Sequence, residues 1–411
     1  MFQRYMAGPV TEALTDTPVI LINGARQTGK STFCRQLMEE GIFSGQMITL
    51  DDATILGAAK TDPTGFLIDL GPRVIIDEIQ RVPGLLLSIK KLVDENRKER
   101  RYILTGSADV MMLPKVADSL AGRIEIHKLW PLSQIELFES PSAFLQTLIT
   151  PNSHYQSRKI KWEAIITAIK TGGYPEAVQR SSEARRERWF ESYLTAILQK
   201  DIRDLSNIEG LSQLPNILHL IATRAGSTVN FSDIARLAGI KNTTFQRYMA
   251  LLEHIFLLVK IPAWTPNSEG QFVKSPKVLL NDTGMLCHLV GESAESLLRN
   301  RTTAGLLFEN FVTLELLKQL SWNKIALKAY HFSIHSGAEV DLVLEDKKKQ
   351  LYGIEIKSKA TVTADDFKGL KRLAEFAGKK FQRGIVLYTG DQVVGFGEGF
   401  QAVPVGNLLG S

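Results

Sequence analysis

The run Pro18-Val19-Ile20-Leu21-Ile22-Asn23-Gly24-Ala25-Arg26-Gln27-Thr28-Gly29-Lys30-Ser31-Thr32 decides the architecture of the N-terminal third. Pro18–Ile22 is apolar and rich in β-branched side chains, the pattern of a buried strand. Gly24–Ser31 then spells GxxxxGKS, and the residues from Thr32 to Glu40 read as a helix. Strand, glycine loop and helix form the context in which this motif cradles phosphate. Gly24 and Gly29 let the loop curl so that backbone N–H groups face the anion, and the helix start adds the positive end of its dipole. Lys30 carries a point charge to the β- and γ-phosphates, and the Ser31 hydroxyl is a magnesium ligand. The expected nucleotide site is Gly24, Ala25, Arg26, Gln27, Thr28, Gly29, Lys30, Ser31 and Thr32.

Such a loop needs an aspartate for Mg²⁺ on a neighbouring strand. Val74-Ile75-Ile76-Asp77-Glu78 supplies two carboxylates at a strand's C-terminal end, where open parallel sheets bind ligands. Asp77 is expected to hold Mg²⁺ through water, and Glu78 to orient or deprotonate the attacking water. A third strand, Tyr102-Ile103-Leu104, ends in Thr105-Gly106-Ser107. Each of its hydroxyls is read equally as a γ-phosphate contact or as part of a plain strand exit.

Length and composition bound the rest. The 411 residues are 44% apolar, enough for two to four domains. A formal charge of +5 and a pI near 9.0 permit nucleic acid as a partner without requiring it. Cys34 and Cys287 stand far apart, which suits a reducing compartment. No secretory pattern opens the sequence, and no apolar run nears the ~18 residues of a membrane span. The expectation is a cytoplasmic protein with no membrane partner. The string FQRYMA occurs at Phe2–Ala7 and Phe245–Ala250, but its flanks differ and no repeat follows.

At Gly24–Ser31, Leu50-Asp51-Asp52, Val74–Gln80, Leu104–Ser107 and Leu120-Ala121-Gly122-Arg123 the sequence resembles AAA+-type ATPases. More narrowly it resembles a bacterial and archaeal subgroup with a helical lid and a C-terminal domain of unknown function. The likeness continues through Pro131-Leu132-Ser133 and Gly172-Gly173-Tyr174-Pro175, and Asn281-Asp282-Thr283-Gly284 resembles a further segment of that subgroup. It implies ATP and Mg²⁺, with Thr105 and Ser107 at the polar sensor position. It also implies Arg123 as an arginine finger or sensor, although a strand-edge arginine with no catalytic role reads equally well. A finger acting between subunits would bring a homo-oligomer. Asp282 itself reads more simply as a turn or helix cap.

Residues 138–205 carry helical apolar spacing (Ile165, Ile169, then Trp189, Tyr193, Ile197) and are read as a lid on the ATPase core. Arg185, Arg186 and Arg188, interleaved with Glu183, Glu187 and Glu191, read as a solvated face. Residues 211–265 read as helix, helix, helix, strand, a winged-helix pattern with Ser232 capping the second helix and Gly239 in the turn. From 211 to 265, five basic against two acidic side chains leave +3. Lys241, Asn242, Thr243, Thr244, Gln246 and Arg247 suit phosphates and base edges. A winged helix that packs against protein is the equal alternative.

Residues 271–411 carry a second pattern. Glu309 stands on an amphipathic helix, Asp341 on the strand Gly337–Leu344, and Glu355 and Lys357 on the strand Leu351–Lys357. Glu355 and Lys357 are two apart and share a face, which Asp341 can join across a hairpin. A helix glutamate followed by D…ExK resembles the restriction-endonuclease-like fold, although Val340 stands where a proline often precedes the aspartate. The expectation is a second Mg²⁺ or Mn²⁺ held by Glu309, Asp341 and Glu355, with Lys357 acting on water or phosphate. The fold class expected is therefore α/β: an AAA+-type core (1–137), lid (138–205), winged helix (206–270) and restriction-endonuclease-like domain (271–411). Two functions compete: an ATP-driven machine acting on DNA or other nucleic acid, and a nucleotide switch for protein partners whose nuclease-like domain is silent.

Overall fold

The computed structural model describes residues 2–107, 120–205, 213–228, 230–266, 275–334 and 337–410. The chain forms two compact units, one of Gln3–Pro131 with His254–Phe256, the other of Leu132–Glu253 with Leu257–Ser411. The boundary expected at 270/271 and the start expected at 206 lie outside the described residues.

The first unit is built on five strands: β1 (Val19–Asn23), β2 (Gln46–Thr49), β3 (Arg73–Asp77), β4 (Arg101–Gly106) and β5 (Ile124–Lys128). They lie in the order β2-β3-β4-β1-β5, and every pair is parallel. β1 and the apolar part of β3 are buried along their whole length. Strands covered on both faces must be near-continuously apolar, which is why both runs stood out in the sequence. Val19, Leu21, Val74, Ile76, Tyr102 and Leu104 share one core with Ile89 and Leu92 of the helix Leu85–Glu95. Each such aliphatic side chain contributes about 1.5–3 kcal/mol by leaving water. One expectation changes here: the Asp77 strand is not next to the loop strand, because β4 lies between them. The parallel order still brings the C-terminal ends of β1, β4 and β3 to one edge.

In the second unit the helices Leu214–Ala222, Phe231–Leu237 and Asn242–His254 lead into an antiparallel ribbon of β6 (Leu258–Ile261) and β7 (Lys277–Leu280). Asn230, not Ser232, caps the second of these helices: its side chain accepts the Ser232 N–H at 3.1 Å. An Asx side chain two residues upstream reaches the first free N–H better than the serine inside the first turn. Next come β8 (Leu327–Ser333), β9 (Glu339–Asp346), β10 (Leu351–Lys357), β11 (Phe381–Tyr388), β12 (Val394–Gly395) and β13 (Phe400–Pro404). These form a mixed sheet, β12-β13-β11-β10-β9-β8. β9 and β10 pair as an antiparallel hairpin, and Asp346 closes its turn by accepting the Lys348 and Gln350 N–H groups at 2.8 Å each. The helix Lys368–Ala377 crosses from β10 to the parallel β11.

The segment read as a lid belongs to this second unit by its contacts. Trp162–Thr171 packs on Thr283–Val290 and Ala294–Arg299. Within the face read as solvated, Glu187 is half-exposed and is bound by both Lys170 and His288. Three distant signature segments meet at one joint. Asp282 caps the helix Thr283–Val290 through the Met285 N–H at 2.9 Å and accepts the Gly173 N–H at 2.6 Å. The Gly173 carbonyl accepts the Leu132 N–H at 2.7 Å. A Cβ on Gly173 would stand 2.1 Å from the Leu132 oxygen, so only glycine admits this approach.

Asp282→Ala would leave two buried N–H groups without acceptors. A loss of about 2–4 kcal/mol, read as a lower urea midpoint, is the expected outcome. An unchanged midpoint would mean that the joint does not hold this unit together.

Candidate functional site

Between β1 and the helix Lys30–Glu39 the chain makes the turn the motif requires. Gly24 has φ 151° and Gly29 φ 91°, and a Cβ on Gly24 would lie 2.3 Å from the Leu129 carbonyl oxygen. Side chains at these angles are strained, so glycine is a steric requirement. Ala25, Thr28 and Lys30 are buried, Arg26, Gly29 and Ser31 half-buried, and Gln27 and Thr32 exposed. The Lys30 ammonium donates to the Gly24 and Ala25 carbonyls, 2.9 Å each. The side chain thus rests on its own loop. Burial lowers its pKa to about 8, against the opposing pull of Glu78 and Asp77.

β3 and β4 complete the edge. The Ser31 hydroxyl donates to the Asp77 carboxylate at 2.8 and 3.0 Å, and the Thr105 hydroxyl donates to the same carboxylate. Thr105 also accepts the Glu78 N–H at 3.1 Å. The insertion of β4 between β1 and β3 is what puts Thr105 beside Asp77. Glu78 follows the strand at φ 61°, ψ 46°, a left-handed conformation that costs a non-glycine residue about 1–3 kcal/mol. The turn sends its carboxylate to the Ser107 hydroxyl, 3.0 Å away, and to the Gln80 amide. Ser31, Asp77, Thr105, Glu78 and Ser107 are thus linked at one edge of the sheet, beside the loop that Lys30 holds.

Other expected residues fall elsewhere. Arg123 precedes β5, whose pairing with β1 sets it at the opposite edge of the sheet from the loop. Five residues of strand, about 16 Å, intervene. Its guanidinium makes a two-pronged pair with Asp94, at 2.6 and 2.9 Å, and bonds the Ala121 carbonyl at 3.0 Å. Asp52 caps the helix Ala53–Thr61, and Asp51 pairs with Arg81 at 2.8 Å. Arg4 went unread in the sequence. It is buried, and it donates to the Thr28 carbonyl at 2.9 Å and the Trp130 carbonyl at 2.6 Å, fastening the loop from behind. A lone arginine near a terminus carries no signal of such a contact.

The carboxylates Glu309, Asp341 and Glu355 do come together in the second unit, but not as an open cation site. Lys277, which the sequence reading passed over, sends its ammonium between Glu309 and Asp341, 3.1 Å from the latter's Oδ1. It stands on β7 and is 5% exposed. The other Asp341 oxygen accepts the Ile356 N–H at 2.8 Å, and Lys357 binds Glu355 at 2.7 Å. Burial pushes Glu309 and Glu355 up to about 8, with the nearby Asp341 charge adding to the effect. Burial also works against ionised Asp341, but the Lys277 ammonium and the Ile356 N–H outweigh it and hold its pKa low. Burial disfavours the Lys277 charge, yet Asp341 and Glu309 raise its pKa well above the usual lysine range. Where the sequence leads one to expect a divalent ion, the Lys277 ammonium stands between two of the three carboxylates. Among the described residues no group of three or more His, Cys, Asp or Glu is set to hold a metal ion. A charged residue opening the wholly buried strand Lys277–Leu280 was the one available signal.

Known proteins place the first unit. Residues 16–138 match an AAA domain, while 163–296 and 304–408 match two domains of unknown function, DUF8612 and DUF4143. An uncharacterised protein of Mycobacterium tuberculosis is 26% identical over 408 residues, covering 99% of this chain and 84% of the relative. An uncharacterised protein of Haemophilus influenzae is 26% identical over 325 residues, covering 74% and 76%. Among solved structures, the Thermotoga maritima RuvB Holliday junction branch migration motor aligns at 17% identity and TM-score 0.30, covering 66% of this chain and 93% of that one. That likeness is too distant to bear on function. No helix among the described residues is long and apolar enough to cross a membrane. The AAA match falls on the parallel sheet and its glycine loop, so residues 16–138 form an AAA-type P-loop domain, a fold that implies nucleotide binding.

Proposed function

We propose that this chain hydrolyses ATP with Mg²⁺ at the loop Gly24–Thr32. The observation that carries the reading is the single hydrogen-bonded edge of Ser31, Asp77, Thr105 and Glu78 beside Lys30. A hydroxyl and a carboxylate already in contact are hard oxygen donors of the kind Mg²⁺ takes. Mg²⁺ would supply positive charge against the β- and γ-phosphates. Lys30 leaves the two carbonyls it now holds and binds phosphate oxygens instead. Glu78 takes a proton from water as the water oxygen bonds to the γ-phosphorus and the bond to the ADP oxygen breaks. Thr105 and Ser107 hold Asp77 and Glu78 in place. From the far edge of its own sheet Arg123 can meet a nucleotide only in another subunit, so a finger role requires a homo-oligomer and release from Asp94.

ATP turnover is proposed to act on nucleic acid through the winged-helix segment. Lys241, Asn242, Thr243, Gln246 and Arg247 are exposed on and just before one helix, while Phe245, Tyr248, Met249 and Leu252 anchor its other face. That split leaves polar and basic groups free for phosphates and bases. A second reading, a nucleotide switch for protein partners with a silent restriction-endonuclease-like domain, is favoured by the Lys277 ion pairs.

Lys30→Ala removes two charge-assisted bonds to phosphate, at ~1.5–3 kcal/mol each, so ATP affinity should fall on the order of 100-fold or more. Unchanged binding and turnover would end the ATPase reading. Glu78→Gln should bind ATP normally but turn it over on the order of 10²–10⁴ more slowly. The buried Lys30 gives a pH dependence of definite sign. Below its pKa of about 8 the free protein already carries the ammonium; above it, ATP binding must draw a proton in. Affinity should therefore fall by up to about tenfold per pH unit above that point. Calorimetry in two buffers of different ionisation enthalpy should register the uptake, and its absence would show that Lys30 stays charged. Replacing Lys241 and Arg247 together with alanine should weaken DNA binding and reduce its log–log salt slope by about 2. A slope left unchanged would assign this face to protein contacts.

A further inference from the structure

Glu309 comes from the helix Arg301–Trp322, Asp341 from β9 and Glu355 from β10, so three elements deliver negative charge to one place. A fourth, β7, delivers Lys277 into it. The ammonium touches Glu309, the Asp341 carboxylate at 3.1 Å and the Asp341 carbonyl at 3.4 Å. Three different oxygens from two elements around one nitrogen is an ammonium's full donor capacity. Lys277 is also fixed from behind, its backbone pairing with Ile261 on β6 and bridging to Thr228. The other side of the centre is incomplete: Glu355 Oε2 is buried and has no hydrogen-bond partner among the described residues.

We propose that the Lys277 ammonium is the resident cation of this centre, closing it to divalent metal ions, and that its removal opens a divalent-cation site on Glu309, Asp341 and Glu355. The charge count supports this. With all three carboxylates ionised, the form a divalent ion requires, they face the two ammonium groups of Lys277 and Lys357 and leave one net negative charge. A divalent ion added to that set would make it positive in a buried place, which is costly. Without Lys277 the same set carries two negative charges, the complement of one divalent ion. The ammonium also holds the central position by a covalent tether, so it loses no translational freedom on binding, whereas a free ion must. Mg²⁺ and Mn²⁺ require oxygens drawn in to about 2.0–2.2 Å, a shell that leaves no room for nitrogen between the same carboxylates. The inference rests on this cluster alone and is independent of the ATPase reading.

The test is Mn²⁺ binding by the full chain without nucleotide, with free ion counted by electron paramagnetic resonance. Wild type and Asp341→Asn should bind Mn²⁺ alike, because no ion occupies the centre in either. Lys277→Met should gain one Mn²⁺ per chain, and Asp341→Asn added to it should remove that ion. The proposal is overturned if the wild type holds an Mn²⁺ that Asp341→Asn abolishes. It is overturned equally if a Lys277→Met protein with a native circular dichroism spectrum gains no ion. Should Lys277→Met not fold, Lys277→Gln removes the charge while keeping a donor for the carboxylates. The wild-type comparison with Asp341→Asn needs no change at 277 at all.

Discussion

A carboxylate taken out of water must find donors, and in this chain three aspartates that meet that demand tie together parts remote in sequence. Asp77 draws Ser31 and Thr105. Asp282 draws the backbone of Gly173 and Met285. Asp341 draws Lys277 and the backbone of Ile356. Left unpaired at such depth, each would be protonated or would drive local opening, because a buried uncompensated charge costs several kcal/mol. The requirement dictates which strands and helix ends must meet.

The three solutions differ in what they leave available. Around Asp77 the donors are hydroxyls, which can turn from donating to a carboxylate to coordinating a cation. The edge is therefore adaptable, and the Lys30 side chain resting on its own loop carbonyls is equally free to leave. Around Asp282 the donors are backbone N–H groups that have no other use, and the result is a fixed joint. Around Asp341 one of the donors is itself a charge, so a cation already stands in the centre. One residue type thus gives a responsive edge, a structural cap and a closed ion cluster, according to what faces it.

The parallel sheet decides which contacts the first unit can form. With β4 between β1 and β3, a hydroxyl from the middle strand reaches the aspartate of the outer one. The same order puts Arg123 at the foot of β5, away from its own glycine loop. Proximity in sequence to the signature segments therefore says little about proximity to phosphate; the end of the strand on which a residue stands says much more.

The phosphate loop is legible along the chain because its chemistry is contiguous: Gly24, Gly29, Lys30 and Ser31 act through spacing along one turn and helix start. So are the buried strands, whose apolar runs follow from cover on both faces, and the β9–β10 hairpin, whose turn and alternation are local. Strand order, the fastening of the loop by Arg4 and the placement of Lys277 among the carboxylates emerge only when distant segments pack. Lys277 lies 64 residues from Asp341, and nothing along the chain marks it as that carboxylate's partner. Glu309, Asp341 and Glu355 were legible because periodicity shows which face each takes. Whether such a group holds a metal or a lysine depends on what another strand brings there, and that is fixed by packing rather than by any pattern within the segment.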